Sequence, residues 1–376
     1  GHVKFTDVTA EVAPDLNNFG MISDALCTDF DGDGVTDLIV VGEWTPITFL
    51  KNEHGKFVNV TAATGLAGQT GWWSSIVGGD FRHTGRMDYI VGNTGRNTLF
   101  QPTNQYPIYI TAGDFDGSGH YTGILSLFLP DRKGIKREFP LPSRDDLVSQ
   151  MPDLKTKFLD YKSYAVATLD DVLSPKQRKG ALRLNATTLR SIYLRNDGGG
   201  RFTMIPLPNL AQISPIYGMV VDDFDGDGNL DVLINGNDLG TSIGIGRYDA
   251  SYGLLLKGDG AGGFTPLSLS ESGICIPGNG RALVKLRDAA GHYLIAASQN
   301  KDVLKLYQLQ KKTGAIPVNP DDVGALIRYK NGKTQKQELD YGSSFLSQSA
   351  RFLRTDSTMS DITVFDRQGH RRTIRL

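Results

Sequence analysis

The stretch Asp29-Phe30-Asp31-Gly32-Asp33-Gly34-Val35-Thr36-Asp37 places carboxylates at positions 1, 3, 5 and 9, with glycines at positions 4 and 6. That spacing suits a hard cation. The carboxylates of Asp29, Asp31, Asp33 and Asp37 and the backbone carbonyl of Val35 can converge on calcium, and the glycines allow the sharp turns that such wrapping requires. The set returns as Asp223, Asp225, Asp227 and Asp231 with the Asn229 carbonyl. Calcium is therefore the one cofactor expected, in a structural role. An EF-hand begins in the same way but closes with a bidentate Glu at position 12, where this chain has Val40 and Ile234. Both of these lie in short β-branched apolar runs, so each loop should enter a strand rather than a helix.

Two further copies are degenerate. Asp114-Phe115-Asp116-Gly117-Ser118-Gly119 is followed by Thr122 at position 9, so Asp114, Asp116, Ser118 and His120 are expected to form a weaker calcium site. In Asp80-Phe81-Arg82-His83-Thr84-Gly85-Arg86-Met87-Asp88, Arg82 falls on a ligand position; its guanidinium is expected to replace the cation by pairing with Asp80 and Asp88. Other chemistry is missing from the sequence. The histidines (His2, His54, His83, His120, His292 and His370) are scattered, and no His-Glu-x-x-His pair, nucleophile elbow or phosphate loop occurs. Cys27 and Cys275 sit among apolar neighbours and are expected to be buried, unpaired thiols.

The elements that must hold these loops follow one grammar. From Met21 to Thr61 the pattern predicts a strand, the loop, then three more strands ending near Val60, which is the four-strand phrase of a propeller blade. Similar phrases run from Trp73 to about Ile110, around the Asp114 loop, from Ile216 to Leu267, and from Arg281 to Gln310, where the fourth strand is missing. Residues 3–10 resemble 55–62, the last strand of the first phrase, so they are expected either to supply that missing strand and close a ring or to be the end of a repeat cut from a longer parent. Between Ser143 and Gly180, apolar residues at spacings of three and four predict two or three short helices inserted in a blade. From about Lys311 the pattern shifts to strands at 324–329, 334–339, 362–365 and 371–376, with a hairpin turn at Asn331-Gly332. The expected fold is all-β. Residues 1–312 should form a β-propeller of five clear blades and up to seven, with a helical insert at about 143–180, and residues 313–376 a small β domain.

Composition narrows the function. The 44 glycines in 376 residues fit many tight turns between short strands, and 40 basic against 41 acidic residues leave a net charge of −1. That balance argues against nucleic acid or an anionic membrane held by bulk electrostatics. No apolar run approaches the roughly 20 residues that span a bilayer. The opening Gly1-His2 reads as a leftover of expression, leaving room for a leader or a lipid anchor upstream. Calcium loops rich in carboxylates point outside the cell, where calcium is abundant.

The aspartate loops resemble the FG-GAP or VCBS repeats of integrin-α-type propellers. Gly324-Ala325-Leu326-Ile327 together with Tyr341-Gly342-Ser343-Ser344-Phe345-Leu346-Ser347-Gln348-Ser349 looks like the ASPIC and UnbV domain that follows such propellers. The helical insert, Gly71-Trp72-Trp73 and Gly246-Arg247-Tyr248-Asp249 are similar to Bacteroidetes members, often surface lipoproteins associated with glycan uptake. The chain departs from the family in its two degenerate loops, in Phe365-Asp366-Arg367-Gln368-Gly369 where Trp-Pro-Ser-Gly is usual, and in lacking a lipid-attachment cysteine. The resemblance implies an extracellular or outer-membrane-surface protein, and it brings no catalytic residues to carry over.

The expected function is a non-catalytic, calcium-stabilised binding or scaffold module for a glycan or protein ligand; the alternative is a glycan-active lyase or hydrolase. Loops opposite the calcium loops would carry the ligand. Their candidates are Glu43, Trp44, Trp72, Trp73, Asn93, Arg96, Asn237, Arg247, Tyr248, Asp249, Gln299 and Asn300, aromatic planes beside polar donors. The simpler account of several is structural: the tryptophans would plug a channel, and Arg247 would pin its own loop.

Overall fold

The computed structural model describes residues 4–242 and 244–376. The chain is mostly β and divides into two compact units. The first comprises the chain through Gly68, Trp73–Leu99 and Arg190–Leu376; the second comprises Gln69–Trp72 and Phe100–Leu189.

The first sheet of the first unit runs β1 (Met21–Thr28), β2 (Asp37–Pro46), β3 (Thr48–Glu53) and β4 (Lys56–Asn59), each antiparallel to the next. After the short strand β5 (Thr70–Trp72) come β6 (Ser75–Gly79) and β7 (Asp88–Gly92). The second unit then contributes β8 (Ile108–Gly113), β9 (Thr122–Pro130), β10 (Lys136–Pro140) and β11 (Leu182–Ala186), paired in the order β10-β9-β8-β11. Five helical segments between Arg144 and Arg178 cover Phe115, Ile124, Leu147 and Leu169 in a core of their own. Four of these segments start on a capping box (Ser143/Asp146, Asp160/Ser163, Thr168/Asp171 and Ser174/Gln177), the local signal that makes such short helices start there.

The chain then returns to the first unit with β12 (Ile192–Gly198) and β13 (Arg201–Pro206), and β12 pairs with β7. The second sheet, β6-β7-β12-β13, is therefore interrupted in sequence by the second unit, and the Asp114 loop belongs to that unit. Two more sheets follow. They are β14 (Ile216–Asp222), β15 (Asp231–Gly236), β16 (Leu254–Gly258) and β17 (Phe264–Pro266), then β18 (Gly280–Arg287), β19 (Tyr293–Gln299) and β20 (Lys305–Gln308). The first strands of successive sheets touch in order: β1 with β6, β6 with β14, β14 with β18.

Packing between sheets repeats. Phe30, Phe81 and Phe224, the second residues of the three aspartate loops in this unit, are all buried, each in the core between its own sheet and a neighbour. The ends of the second strands approach the preceding backbone closely. A Cβ on Gly42 would lie 2.1 Å from the Met21 carbonyl oxygen, and one on Gly236 only 1.6 Å from that of Pro215, so only glycine fits there.

The segment from Gly314 builds its own sheets but stays in the first unit. Strand β21 (Gly314–Pro317) pairs with β24 (Phe352–Thr355), and β22 (Asp322–Tyr329), β23 (Thr334–Glu338), β25 (Met359–Asp366) and β26 (Arg371–Arg375) pair in the order β23-β22-β25-β26.

Three expectations fail. The phrase from Trp73 to Ile110 supplies only β6 and β7 to its sheet, because Ile108 opens β8 of the second unit and the other two strands are β12 and β13. Of residues 3–10, residue 3 lies outside the described residues; 4–8 form no strand, and Thr9–Val12 is a helical turn. The Val8 carbonyl accepts the N–H groups of Glu11 and Val12, so local bonds satisfy the backbone that a strand would have offered to a neighbour. The likeness to 55–62 survives only in the turn, because Thr61–Thr64 is helical too. Both cysteines are free, as expected, but exposed. Alternation along β1 buries Leu26 and Thr28 and leaves Cys27 on the other face, while near Cys275 it is Ile276 that is buried.

Candidate functional site

In every copy of the loop the first aspartate braces its own turn. Asp29 accepts the N–H groups of Gly32 (2.8 Å) and Gly34 (3.3 Å), Asp223 those of Gly226 (2.5 Å) and Gly228 (3.0 Å), Asp80 those of Thr84 and Gly85, and Asp114 that of Gly119. Position 1 therefore has a job in the degenerate loops too, which is why the spacing outlives the full ligand set.

The ninth position separates the copies. Asp88 is fully engaged: Arg82 donates to both its oxygens (2.8 and 2.9 Å), the Tyr193 hydroxyl and the Asn196 N–H add two more bonds, and Arg82 reaches the Asn196 carbonyl. The guanidinium thus replaces a cation at Asp88 but does not pair with Asp80 as expected, because the N–H groups of Thr84, Gly85 and Lys336 hold Asp80. Asp231 accepts the N–H groups of Gly258 (2.9 Å) and Phe224 (3.0 Å), one on each oxygen. Asp37 is 1% exposed; its Oδ1 accepts the Asn52 N–H at 2.8 Å, and its Oδ2 has no partner among the described residues. A buried carboxylate oxygen without a donor is costly. Burial first, then the charges of Asp31 and Asp33, push the Asp37 carboxyl up to about 6; burial pushes Asp231 up to about 7.

Carboxylate oxygens of Asp29, Asp31 and Asp37 lie within 4.8 Å of one another, as do those of Asp223, Asp225 and Asp227. These are the two clusters of three or more such side chains among the described residues; in the Asp114 loop the Asp116 carboxylate accepts the Ser118 N–H at 3.0 Å. Both clusters also receive an ammonium. Lys51 pairs with Asp31 and, at 2.7 Å, with Asp33; Lys257 pairs with Asp225 and, at 3.1 Å, with Asp227. The donor set at the first loop fits calcium: hard oxygens, a multidentate turn and one orphaned buried oxygen. The second loop fits less well, because the Arg354 guanidinium, itself 4% exposed, already binds Asp223 Oδ2 at 2.7 Å.

Arg354 and its neighbours escaped the sequence reading, since nothing local marks a partner more than a hundred residues away. The hairpin β22–β23 and strand β24 meet the aspartate loops directly. Lys336 Nζ lies 3.2 Å from Asp29 and 3.1 Å from Glu338, while Glu338 accepts from the Thr28 hydroxyl at 2.7 Å. His83 sits between the Thr334 carbonyl and the Asn229 side chain, each at 3.1 Å, and Lys311 donates to the Asp225 carbonyl at 2.7 Å.

The residues proposed for the opposite ends of the strands meet mixed fates. Trp73 is wholly buried, and its indole N–H donates to the Thr45 carbonyl at 3.0 Å. Asn93 and Asn237 are buried: Asn93 accepts the Ile216 N–H on its carbonyl, while the Asn237 side chain ties Ser214, Ser251 and Gly278 together. Gln299 is buried with its Nε2 on the Val303 carbonyl, and the Asn300 N–H donates to the Asn279 carbonyl. Tyr248 is buried and its hydroxyl bonds Thr98 at 2.8 Å, whereas Arg96, Arg247, Asp249 and Asn300 are exposed. Trp72 belongs to the second unit, edge-on to Phe100 at 5.3 Å. Half-buried Glu43 and Trp44, the latter at φ 64°, remain at this end. Near Glu43 the sequence reading missed Asp238, Tyr217 and Arg281. The Arg281 guanidinium lies 4.3 Å from the Tyr217 ring centre and 3.4 Å from Asp238, and burial with the Asp238 charge pushes the Glu43 carboxyl up.

A family model described as FG-GAP-like repeat matches residues 29–91, which span the first loop, strands β2 to β4 of its sheet and the Arg82 loop. No curated protein matches the chain.

Proposed function

We propose that the first unit is a calcium-stabilised, non-catalytic binding or scaffold module acting outside the cell or on its surface, for a glycan or protein ligand. Its four consecutive sheets are read as propeller blades, with the segment from Gly314 as an ASPIC and UnbV domain. One observation carries the calcium reading: the buried, unpartnered Asp37 Oδ2 beside Asp29 and Asp31. Asp29, Asp31, Asp33, Asp37 and the Val35 carbonyl would hold the ion. It would supply charge neutralisation between the first two strands of the sheet, with no part in bond making. The FG-GAP-like repeat supports an exported protein, and no helix among the described residues is long and apolar enough to cross a membrane.

Melting with calcium and with a chelator tests this reading. Calcium at about a hundred times its dissociation constant should stabilise by ~2.7 kcal/mol, and Asp31→Ala should lose most of that gain. Equal melting temperatures in calcium and chelator would end the calcium reading. The enzymatic alternative rests on Glu43, whose carboxylate has no hydrogen bond or ion pair among the described residues, set near Asp238 and Tyr217. A polysaccharide panel screened for both binding and cleavage separates the two. Turnover abolished by Glu43→Gln would favour the enzyme.

A further inference from the structure

The sheets led by β1, β6 and β14 each run to a fourth strand (β4, β13 and β17), whereas the sheet led by β18 stops at its third, β20. The outer edge of β20 is therefore open. The Leu309 N–H donates to the Tyr293 carbonyl, so the pairs in phase with it, Ile295 with Tyr307 and Ala297 with Lys305, turn their backbone groups toward each other. Those of Leu306 and Gln308 then point away from β19, and no strand meets them among the described residues. Leu304 and Leu306 are exposed beside this edge. An exposed apolar strand edge is a template for another strand.

The fourth strands share a signature. Each follows a glycine turn and opens on a phenylalanine: Lys56-Phe57 after Gly55, Arg201-Phe202 after Gly200, and Phe264 after Gly263. Phe202 is buried in the core between the first two sheets, and Phe264 packs against the next core. The segment Lys4-Phe5-Thr6-Asp7-Val8-Thr9-Ala10 repeats Lys56-Phe57-Val58-Asn59-Val60-Thr61-Ala62 with its lysine, phenylalanine, second valine, threonine and alanine unchanged. The ending matches too, since Val60 and Val8 each precede a four-residue helical turn. Yet residues 4–8 lie in no strand, and Phe5 is 92% exposed. In its own chain the turn that follows, Thr9–Val12, lies against β4 of the first sheet.

We propose that residues 4–8 of a second copy of this chain add to the outer edge of β20 as its missing fourth strand, and that reciprocal exchange closes a dimer. Phe5 then covers Tyr307 and Leu309, which are only partly buried on the core of this sheet, while Thr6 and Val8 share the face of Leu304 and Leu306. Antiparallel pairing satisfies the N–H and C=O groups of Leu306 and Gln308. Charge is complementary as well: Lys301, Lys305, Lys311 and Lys312 outweigh Asp302 along the edge, and Asp7, Glu11 and Asp15 outweigh Lys4 in the incoming segment. Both the signature and the charge belong to this chain's own sequence, so the occupant is a second copy and not an unrelated strand.

Analytical ultracentrifugation of the full chain, up to about 1 mM, tests this. The wild type should pass from monomer to dimer as concentration rises, with slower amide exchange at Leu306 and Gln308 in the dimer. Phe5→Asp and Leu306→Pro should each stay monomeric, the first for want of its anchor and the second for want of a ladder donor. An equimolar mixture of the two should form a heterodimer weaker than the wild-type dimer, because one intact segment meets one intact edge. A peptide of residues 4–12 in excess should dissociate the wild-type dimer, and the same peptide with Phe5→Asp should not. If Leu306→Pro fails to fold, Phe5→Asp and the peptide still decide. The proposal falls if the wild type stays monomeric across the range, whether or not its Leu306 and Gln308 amides are protected, since protection in a monomer would mean that the segment closes on its own chain. It falls equally if either folded variant dimerises like the wild type, or if the peptide leaves the dimer intact.

Discussion

Asp37 and Asp231 occupy the same position of the same spacing, yet their surroundings set them apart: Asp231 has a donor on each oxygen, and Asp37 leaves one oxygen bare. Lys51 is the nearest rival of an ion at the first loop, since it neutralises Asp31 and Asp33. Lys51→Met should therefore tighten calcium binding by roughly two- to fivefold, the scale of part-exposed ion pairs worth up to ~1 kcal/mol. Calorimetric titration reads this directly, and weaker binding in the variant would make Lys51 a support of the site and not a competitor. Asp24 offers a pH test away from the loops. Burial raises its carboxyl from 3.8 to about 6, although the N–H groups of Ile76 and Ala25 oppose the shift. The folded state holds this proton more tightly than the unfolded chain, so its contribution is full below about pH 4 and is lost as pH rises through 6. Relative to wild type, Asp24→Asn should gain on the order of 1–2 kcal/mol between pH 4 and pH 7.5 in urea melts, whatever its fixed offset from a changed acceptor. A difference that stays flat with pH would remove Asp24 as a titrating group.

The Ser-rich run 343–349 works as an element without being a helix or a strand. The Ser344 hydroxyl takes the Met219 N–H at 3.1 Å and donates to the Tyr217 carbonyl, Ser347 takes the Leu283 N–H, and Ser349 takes the Lys285 N–H. These hydroxyls complete the hydrogen bonding of β14 and β18, the first strands of their sheets. Ser347→Ala would leave the buried Leu283 N–H unpaired and should cost about 1–3 kcal/mol, while Ser270→Ala on the exposed surface should stay within about 0.5 kcal/mol. Chemical denaturation compares the two; equal effects would deny the serines this role. The strands around both intact loops were legible because Asp-Gly spacing and β-branched runs are local signals. Helices at 144–178 were legible from their periodicity and capping residues. The pairing of β7 with β12 was not, because the insertion puts nearly a hundred residues between partners and no local pattern encodes such a distance. Trp72 and Trp73 looked alike for a similar reason: residue type suggested a ligand surface, but Trp73 is a core residue with its one donor satisfied by Thr45. Asn93 and Asn237 likewise read as ligand donors and turn out to be fasteners of strand ends.

Neutrality across the molecule, 40 basic against 41 acidic residues, is achieved locally and between distant parts of the chain. Lys51 and Lys257 come from the third strands of their own sheets, but Lys336 and Arg354 come from the C-terminal sheets, so the acidic loops and those sheets complete one another. Arg354 is the centre of this arrangement. Its three nitrogens serve Asp222 at 2.9 Å, Asp223 at 2.7 Å and Asp356 at 2.6 Å, and all four side chains are nearly inaccessible. Removing one partner of a buried charge cluster leaves the others uncompensated, at about 3–5 kcal/mol. Arg354→Met keeps much of the bulk and removes the charge, so it should lower the melting temperature by roughly 10 °C. Arg354→Lys should recover less than half of that loss, since a single ammonium cannot present the planar fork that reaches three carboxylates at once. Calorimetry on the two variants decides the matter. If both melt within about 2 °C of wild type, the C-terminal sheets are held by their apolar contacts through Phe352 and Leu353, and the charge cluster is incidental to how the first unit stays together.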